Sequence, residues 1–190
     1  MEDLENIHFN HSVGIQIRFN DIDQLGHVNN ASQISFLDYG KVRYFEAMNN
    51  GEVDWRDAQF VIVNINVSYV EQIFMNDNIE VRTKITEIGN KSIKLLQMIV
   101  DRDNGHVKTV CHGVMCAFDM DTQQSVLVSQ KWRDKINKFE VHRLTLKIYC
   151  VGDFEIVCIG ISVDIFLVCK AVNRAPVVCI SPIIMRIYPI

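Results

Sequence analysis

Residues 1–140 predict an α+β fold in which a curved antiparallel sheet wraps around one long central helix. Three observations carry this expectation. One long segment repeats apolar residues at helical spacing (Ile34, Leu37, Lys41/Val42, Phe45, Met48). Several other segments alternate apolar and polar residues with a period of two. Most of these are joined by short polar turns, which suit antiparallel neighbours. A single helix with an apolar stripe needs a sheet face on which to bury it.

In chain order, Val13, Ile15, Ile17 and Phe19 alternate with Gly14, Gln16 and Arg18, giving a half-buried first strand. Residues 20–30 are rich in Asp, Asn and Gly and form a loop. Asn29 or Asn30 caps the helix, and Asn49-Asn50-Gly51 stops it. Val61, Val63, Ile65, Val67 and Tyr69 mark the second strand, and Ile79, Val81, Thr83 and Ile85 the third. Ile88-Gly89-Asn90-Lys91 turns into a strand over 92–100. A turn at 101–105 leads to a strand over 108–118, and 119–124 turns again. A short helix over 131–139 follows.

The chain changes character near Glu140. All three prolines and four of the six cysteines (Cys150, Cys158, Cys169, Cys179) lie in residues 141–190, which are rich in Ile, Val and Cys. The best apolar run there, Ile156 to Cys169, includes Asp164 and is shorter than the about 20 residues a spanning helix needs. A membrane anchor is therefore not expected. A small second domain and a non-native extension, such as a shifted reading frame, are the other readings of this tail. Its alternating Val, Ile and Cys also suit strand addition to a sheet edge.

The net charge of −4 argues against nucleic acid, and no polybasic run argues for an anionic membrane. Met1-Glu2-Asp3-Leu4-Glu5 lacks the basic and apolar regions of a secretory signal, so the expected location is cytoplasmic, with free thiols. Cys111 and Cys116 are five residues apart on one predicted strand. They point to opposite faces and cannot bridge each other without a bend in the strand.

The chemistry concentrates in Arg18-Phe19-Asn20-Asp21-Ile22-Asp23-Gln24-Leu25-Gly26-His27-Val28-Asn29-Asn30. This segment puts carboxylates and a histidine just ahead of a helix N-terminus. Backbone N–H groups and the helix dipole there stabilise developing negative charge. An oxyanion formed from a carbonyl fits that position. A nearby carboxylate attacks the carbonyl or activates a water. These are the parts of acyl transfer or hydrolysis.

The segment resembles the signature R-x-x-D-x-D-x-x-G-H-V-N-N of the 4-hydroxybenzoyl-CoA thioesterase-like family of hotdog-fold acyl-CoA thioesterases. Arg18 to Asn30 matches it position for position. Weaker echoes run through Ile88-Gly89-Asn90-Lys91-Ser92, Phe118-Asp119, Trp132-Arg133 and Phe139-Glu140. The resemblance covers about residues 10–140 and none of the tail. It implies a hotdog fold, acyl-CoA hydrolysis, and a homodimer or homotetramer with its site at the subunit interface. It implies Asp23 as nucleophile or general base and the backbone N–H at or near Asn30 as oxyanion donor. His27 and Asn29 would shape the same loop. No metal or redox cofactor is implied. Three departures stand out: Gln33 replaces the usual tyrosine, Asp38 the helix glutamate, and Lys41 the arginine that follows.

Each reading has a plainer competitor. Asp21 and Asp23 are also good turn and capping residues. Asp21, Asp23 and His27 lack a nearby fourth ligand, so no metal site is expected. His8 and His11 sit near a terminus, and His106 and His112 in a turn and a strand. Asp38 is either a second catalytic carboxylate or the i,i+3 partner of Lys41. Lys91 and Lys94, with Lys84, are candidates for the CoA phosphates or members of a solvated strand face. Gln33 is a pocket or interface position. An acyl-carrier-protein thioesterase, a non-catalytic acyl-CoA-binding hotdog protein and a hotdog dehydratase are the rival functions. The first needs a basic docking surface, the second tolerates loss of Asp23, and the usual dehydratase pattern is not evident.

Overall fold

The computed structural model of the chain describes residues 7–53, 60–141, 154–160, 165–171 and 177–178. Strand β1 (His11–Ile15) leads through a 3-10 turn at Phe19–Asp21 into helix α1 (Asn30–Met48). Strands β2 (Phe60–Tyr69), β3 (Ile79–Ile88), β4 (Ser92–Asp101) and β5 (Val107–Asp119) follow. A two-residue strand β6 (Gln124–Ser125) precedes helix α2 (Gln130–Val141). The principal sheet runs β1-β3-β4-β5-β2, all antiparallel, with β6 added to β5.

Helix α1 starts where its cap allows: Asn29 Oδ1 accepts from Ala31 N–H at 2.8 Å. It stops at Asn49, whose N–H bonds back to Phe45, and Asn50 takes a left-handed φ of 59°. The helix lies on one sheet face. Phe36 and Leu37 pack with Val81, Ile99 and Cys111, while Tyr44, Phe45 and Met48 pack with Leu95, Met115 and, from α2, Trp132 and Ile136. The close approach has a specific cause. A Cβ on Gly40 would stand 2.3 Å from Val81 Cγ1, so only glycine lets the helix sit this low. The other sheet face buries Leu96, Met98, Val100 and Val110, which explains why β4 is apolar almost throughout.

Two buried amides bind the helix to the sheet. Gln97 Nε2 donates to the Leu37 carbonyl at 2.8 Å and to Thr83 Oγ1 at 3.1 Å. Gln33 is the second. The C-terminal helix is tied down by Glu140. Its Oε1 accepts from the Tyr44 hydroxyl and from Ile85 N–H, while the Glu140 and Phe139 carbonyls accept from Asn10 Nδ2.

Strand β2 is the exception to half-burial. It pairs with β5 along one side only among the described residues, and its apolar side chains Val61, Ile62, Val63 and Ile65 are exposed. Residues 141–190 form a second unit with an antiparallel three-stranded sheet of their own, β7 (Phe154–Gly160), β8 (Ile165–Ala171) and β9 (Val177–Val178). No helix among the described residues is long and apolar enough to cross a membrane.

Candidate active site

The loop between β1 and α1 is built by its own backbone. Asp21 Oδ2 accepts from Arg18 N–H at 2.8 Å, closing the 3-10 turn. Asp23 N–H donates to the His27 carbonyl at 2.8 Å, and Gly26 N–H to the Asp23 carbonyl at 3.1 Å. Gly26 holds φ at 81°, where side-chain-bearing residues are strained. Asn29 N–H then reaches the Asp21 carbonyl at 2.7 Å. The D-x-D pair is thus folded back beside the first turn of α1.

Asp23 Oδ1 accepts from Leu25 N–H at 2.8 Å and, more loosely, from His27 N–H at 3.4 Å. Among the described residues both donors reach the same oxygen, Oδ1. The Asn30 N–H belongs to the first helical turn, whose donors have no intrahelical acceptor. The neighbouring Ala31 N–H is already taken by Asn29. Of the sequence-predicted residues, Asp23 and His27 are bonded to each other, and Asn29, whose N–H reaches the Asp21 carbonyl, caps the helix that begins at Asn30.

His27 works through its main chain. Its carbonyl and N–H both bond Asp23, and its ring stands edge-on to Phe74 at 5.3 Å. Gln33, expected at a pocket or interface position, faces β5. It is buried, with Nε2 donating to the Val28 carbonyl and Oε1 accepting from Thr109. It anchors the loop to β5. Val28 N–H adds a bond to the Ile73 carbonyl at 2.8 Å. Ile73, Phe74 and Thr109 escape sequence reasoning because they reach the loop from distant segments, and no local spacing announces such contacts.

Lys91 and Lys94 stand elsewhere. Lys91 Nζ donates to the Ser125 carbonyl at 2.8 Å, and Lys94 Nζ pairs with Glu87 at 2.7 Å. Both lie at the sheet end where Ser92 opposes Cys116 and Phe60 opposes Ala117. The Asp23 loop is anchored at the other end, where Tyr69 and Ile99 flank Thr109. Thr109 and Ala117 are eight residue steps apart along β5, roughly 25 Å. The two groups lie at opposite ends of the sheet.

A cavity of about 330 Å³ opens between α1 and β2, lined by Val42, Phe45, Phe60, Val61, Ile62 and Met115. Asp38 and Lys41 border it and pair at 2.6 Å, the i,i+3 contact anticipated from the sequence. Cys111 lies in the core beneath the helix; burial, then the Asp38 charge, push its thiol pKa up. Among the described residues no cluster of His, Cys, Asp and Glu has the makings of a metal site.

Residues 17–136 match the model of the Thioesterase-like superfamily. The chain belongs to that superfamily. Its segment from Arg18 to Asn30 and its sheet-wrapped helix are thus those of a thioester hydrolase with a hotdog fold. The Escherichia coli K12 long-chain acyl-CoA thioesterase FadM is 27% identical over 127 residues, covering 65% of this chain and 95% of the relative. Among solved structures, a Thermus thermophilus thioesterase complexed with coenzyme A and zinc superposes with a TM-score of 0.63 at 26% identity. That match covers 70% of this chain and 95% of the other. A 4-hydroxybenzoyl-CoA thioesterase mutant complexed with 4-hydroxybenzoyl-CoA, at 19% identity and a TM-score of 0.60, shares the fold. It covers 66% of this chain and 97% of its own.

Proposed function

We propose that this protein hydrolyses acyl-CoA thioesters, with Asp23 as the reacting carboxylate and the N–H at or near Asn30 as oxyanion donor. The observation that carries the proposal is the folded-back D-x-D turn. It holds the Asp23 carboxylate by one oxygen, in the loop that leads into the N-terminus of α1. Water adds to the thioester carbonyl, the C–S bond breaks, and the products are a free acid and the CoA thiol. In one route Asp23 takes a proton from the attacking water. In the other it attacks the carbonyl itself, and water then hydrolyses the mixed anhydride. In both, the helix N–H stabilises charge that develops only as the carbonyl oxygen becomes an oxyanion.

The working unit is a homodimer formed along β2. A ten-residue edge strand with exposed Val61, Ile62, Val63 and Ile65 is an association surface rather than a solvated edge. Two copies related by a two-fold axis pair β2 antiparallel. The Phe60 end of one copy then lies beside the Tyr69 end of its partner. That brings the α1–β2 cavity, with Lys91 and Lys94, toward the partner's Asp23 loop. The exposed Lys94–Glu87 pair is worth little by itself, so Lys94 exchanges partners readily for a phosphate. Thiol release from a panel of acyl-CoAs by the full chain tests the proposal. Turnover is expected, and acyl-CoA binding without turnover would replace it with the binding-module reading.

A further inference from the structure

Aromatic rings line one end of the cavity beside α1, and that end bears on which acyl group fits. Phe45 and Phe60 stack with ring centroids 6.1 Å apart and planes 20° from parallel. Trp132 from α2 stands edge-on to both, at 5.9 Å from Phe45 and 5.5 Å from Phe60. Lys135 caps the indole face at 4.7 Å. Behind the cavity there is thus a wall of three rings held by a second helix, not a flexible aliphatic lining. Phe45 and Trp132 are buried in the core, so the wall has little room to retreat.

The opposite end is polar. Asp38 lies two turns nearer the helix start than Phe45, roughly 10 Å along the axis, and pairs with Lys41 at the cavity border. Between these ends the lining is aliphatic, from Val42, Val61, Ile62 and Met115. At roughly 30 Å³ for each water-sized group, the cavity of about 330 Å³ holds on the order of ten such groups.

We infer that this cavity takes the acyl group of the thioester and that Phe60 sets its length limit, making the substrate a medium-chain or aryl acyl-CoA. The inference rests on the hydrolysis and the β2 pairing proposed above. Phe60 is the ring to test because it is only partly buried and belongs to the exposed edge strand. Phe45 and Trp132 also hold the core.

The experiment measures kcat/KM by thiol release for saturated acyl-CoAs of two to eighteen carbons. It uses the full chain, Phe60→Ala and Val42→Trp, each checked for folding by circular dichroism and for dimer size by sedimentation. The natural chain should lose at least about tenfold once the acyl group outgrows the cavity, near ten carbons, since misfit of even one methylene costs that much. Phe60→Ala should raise the ratio of fourteen- to eight-carbon rates at least about tenfold. Val42→Trp, which fills the slot from the helix side, should move the limit to shorter chains. If Phe60→Ala fails to fold, the shift in Val42→Trp decides. Hydrolysis with a chain-length profile that the folded variants leave unmoved, or with long chains used as well as medium ones, overturns the assignment of the cavity alone. Absence of hydrolysis at every length sinks the thioesterase reading along with it.

Discussion

At the scale of single residues, Asp23 and Cys111 show how environment decides the role of a reactive group. Asp23 sits in a turn that its own Oδ1 stabilises through Leu25 N–H. Asn at this position keeps an acceptor oxygen in the same place, so Asp23→Asn should leave melting unchanged while kcat falls by at least about a hundredfold. Cys111, by contrast, is buried, and its raised pKa keeps it a thiol at neutral pH. Alkylation of the native protein at pH 7.5, followed by peptide mass spectrometry, should label Cys116 well before Cys111. The turn around Asp23 was legible because its whole setting is local, within thirteen consecutive residues. The contacts of Gln33 were not legible for the opposite reason: its partners, Val28 and Thr109, include one 76 residues away.

Helix placement depends on contacts that are individually small and jointly strict. Gly40 has no room for a methyl group against Val81, so Gly40→Ala should lower stability by about 1–3 kcal/mol in urea unfolding. The Tyr44–Glu140 bond joins α1 to α2 under a buried ring. Tyr44→Phe leaves Glu140 Oε1 with Ile85 N–H alone and should cost about 1–3 kcal/mol. Burial, reinforced by the Glu140 charge, raises the Tyr44 pKa above its ordinary value near 10. Its contribution is therefore present in full below about pH 10 and lost as pH rises beyond it. Tyr44→Phe should accordingly flatten the alkaline loss of stability. Strand and helix boundaries were largely legible, because a period of two or 3.6 and an Asn cap are written into neighbouring residues. The 3-10 turn at Phe19–Asp21 and the short strand Gln124–Ser125 were not, since each rests on one or two hydrogen bonds within irregular chain.

For the whole molecule, the decisive feature is the exposed edge β2. Its alternating sequence reads as an ordinary strand, and nothing in the pattern says that both of its faces lie open. Sheet order alone makes it an edge, and sheet order is not written in local periodicity. Val63 is 59% exposed, so Val63→Asp should cost the isolated protomer little. Sedimentation should nevertheless find it shifted from dimer toward monomer, with acyl-CoA hydrolysis falling in parallel. Residues 141–190, set apart in composition, form a three-stranded unit of their own. We propose that they are dispensable for the chemistry of residues 1–140. The most direct test of the central claim is thiol release from an eight-carbon acyl-CoA by the full chain and by Asp23→Asn, side by side at equal folded concentration. Turnover that collapses in Asp23→Asn, with the dimer and its melting intact, is the predicted result. Equal turnover in both proteins would contradict the assignment of Asp23 and move the reacting carboxylate elsewhere.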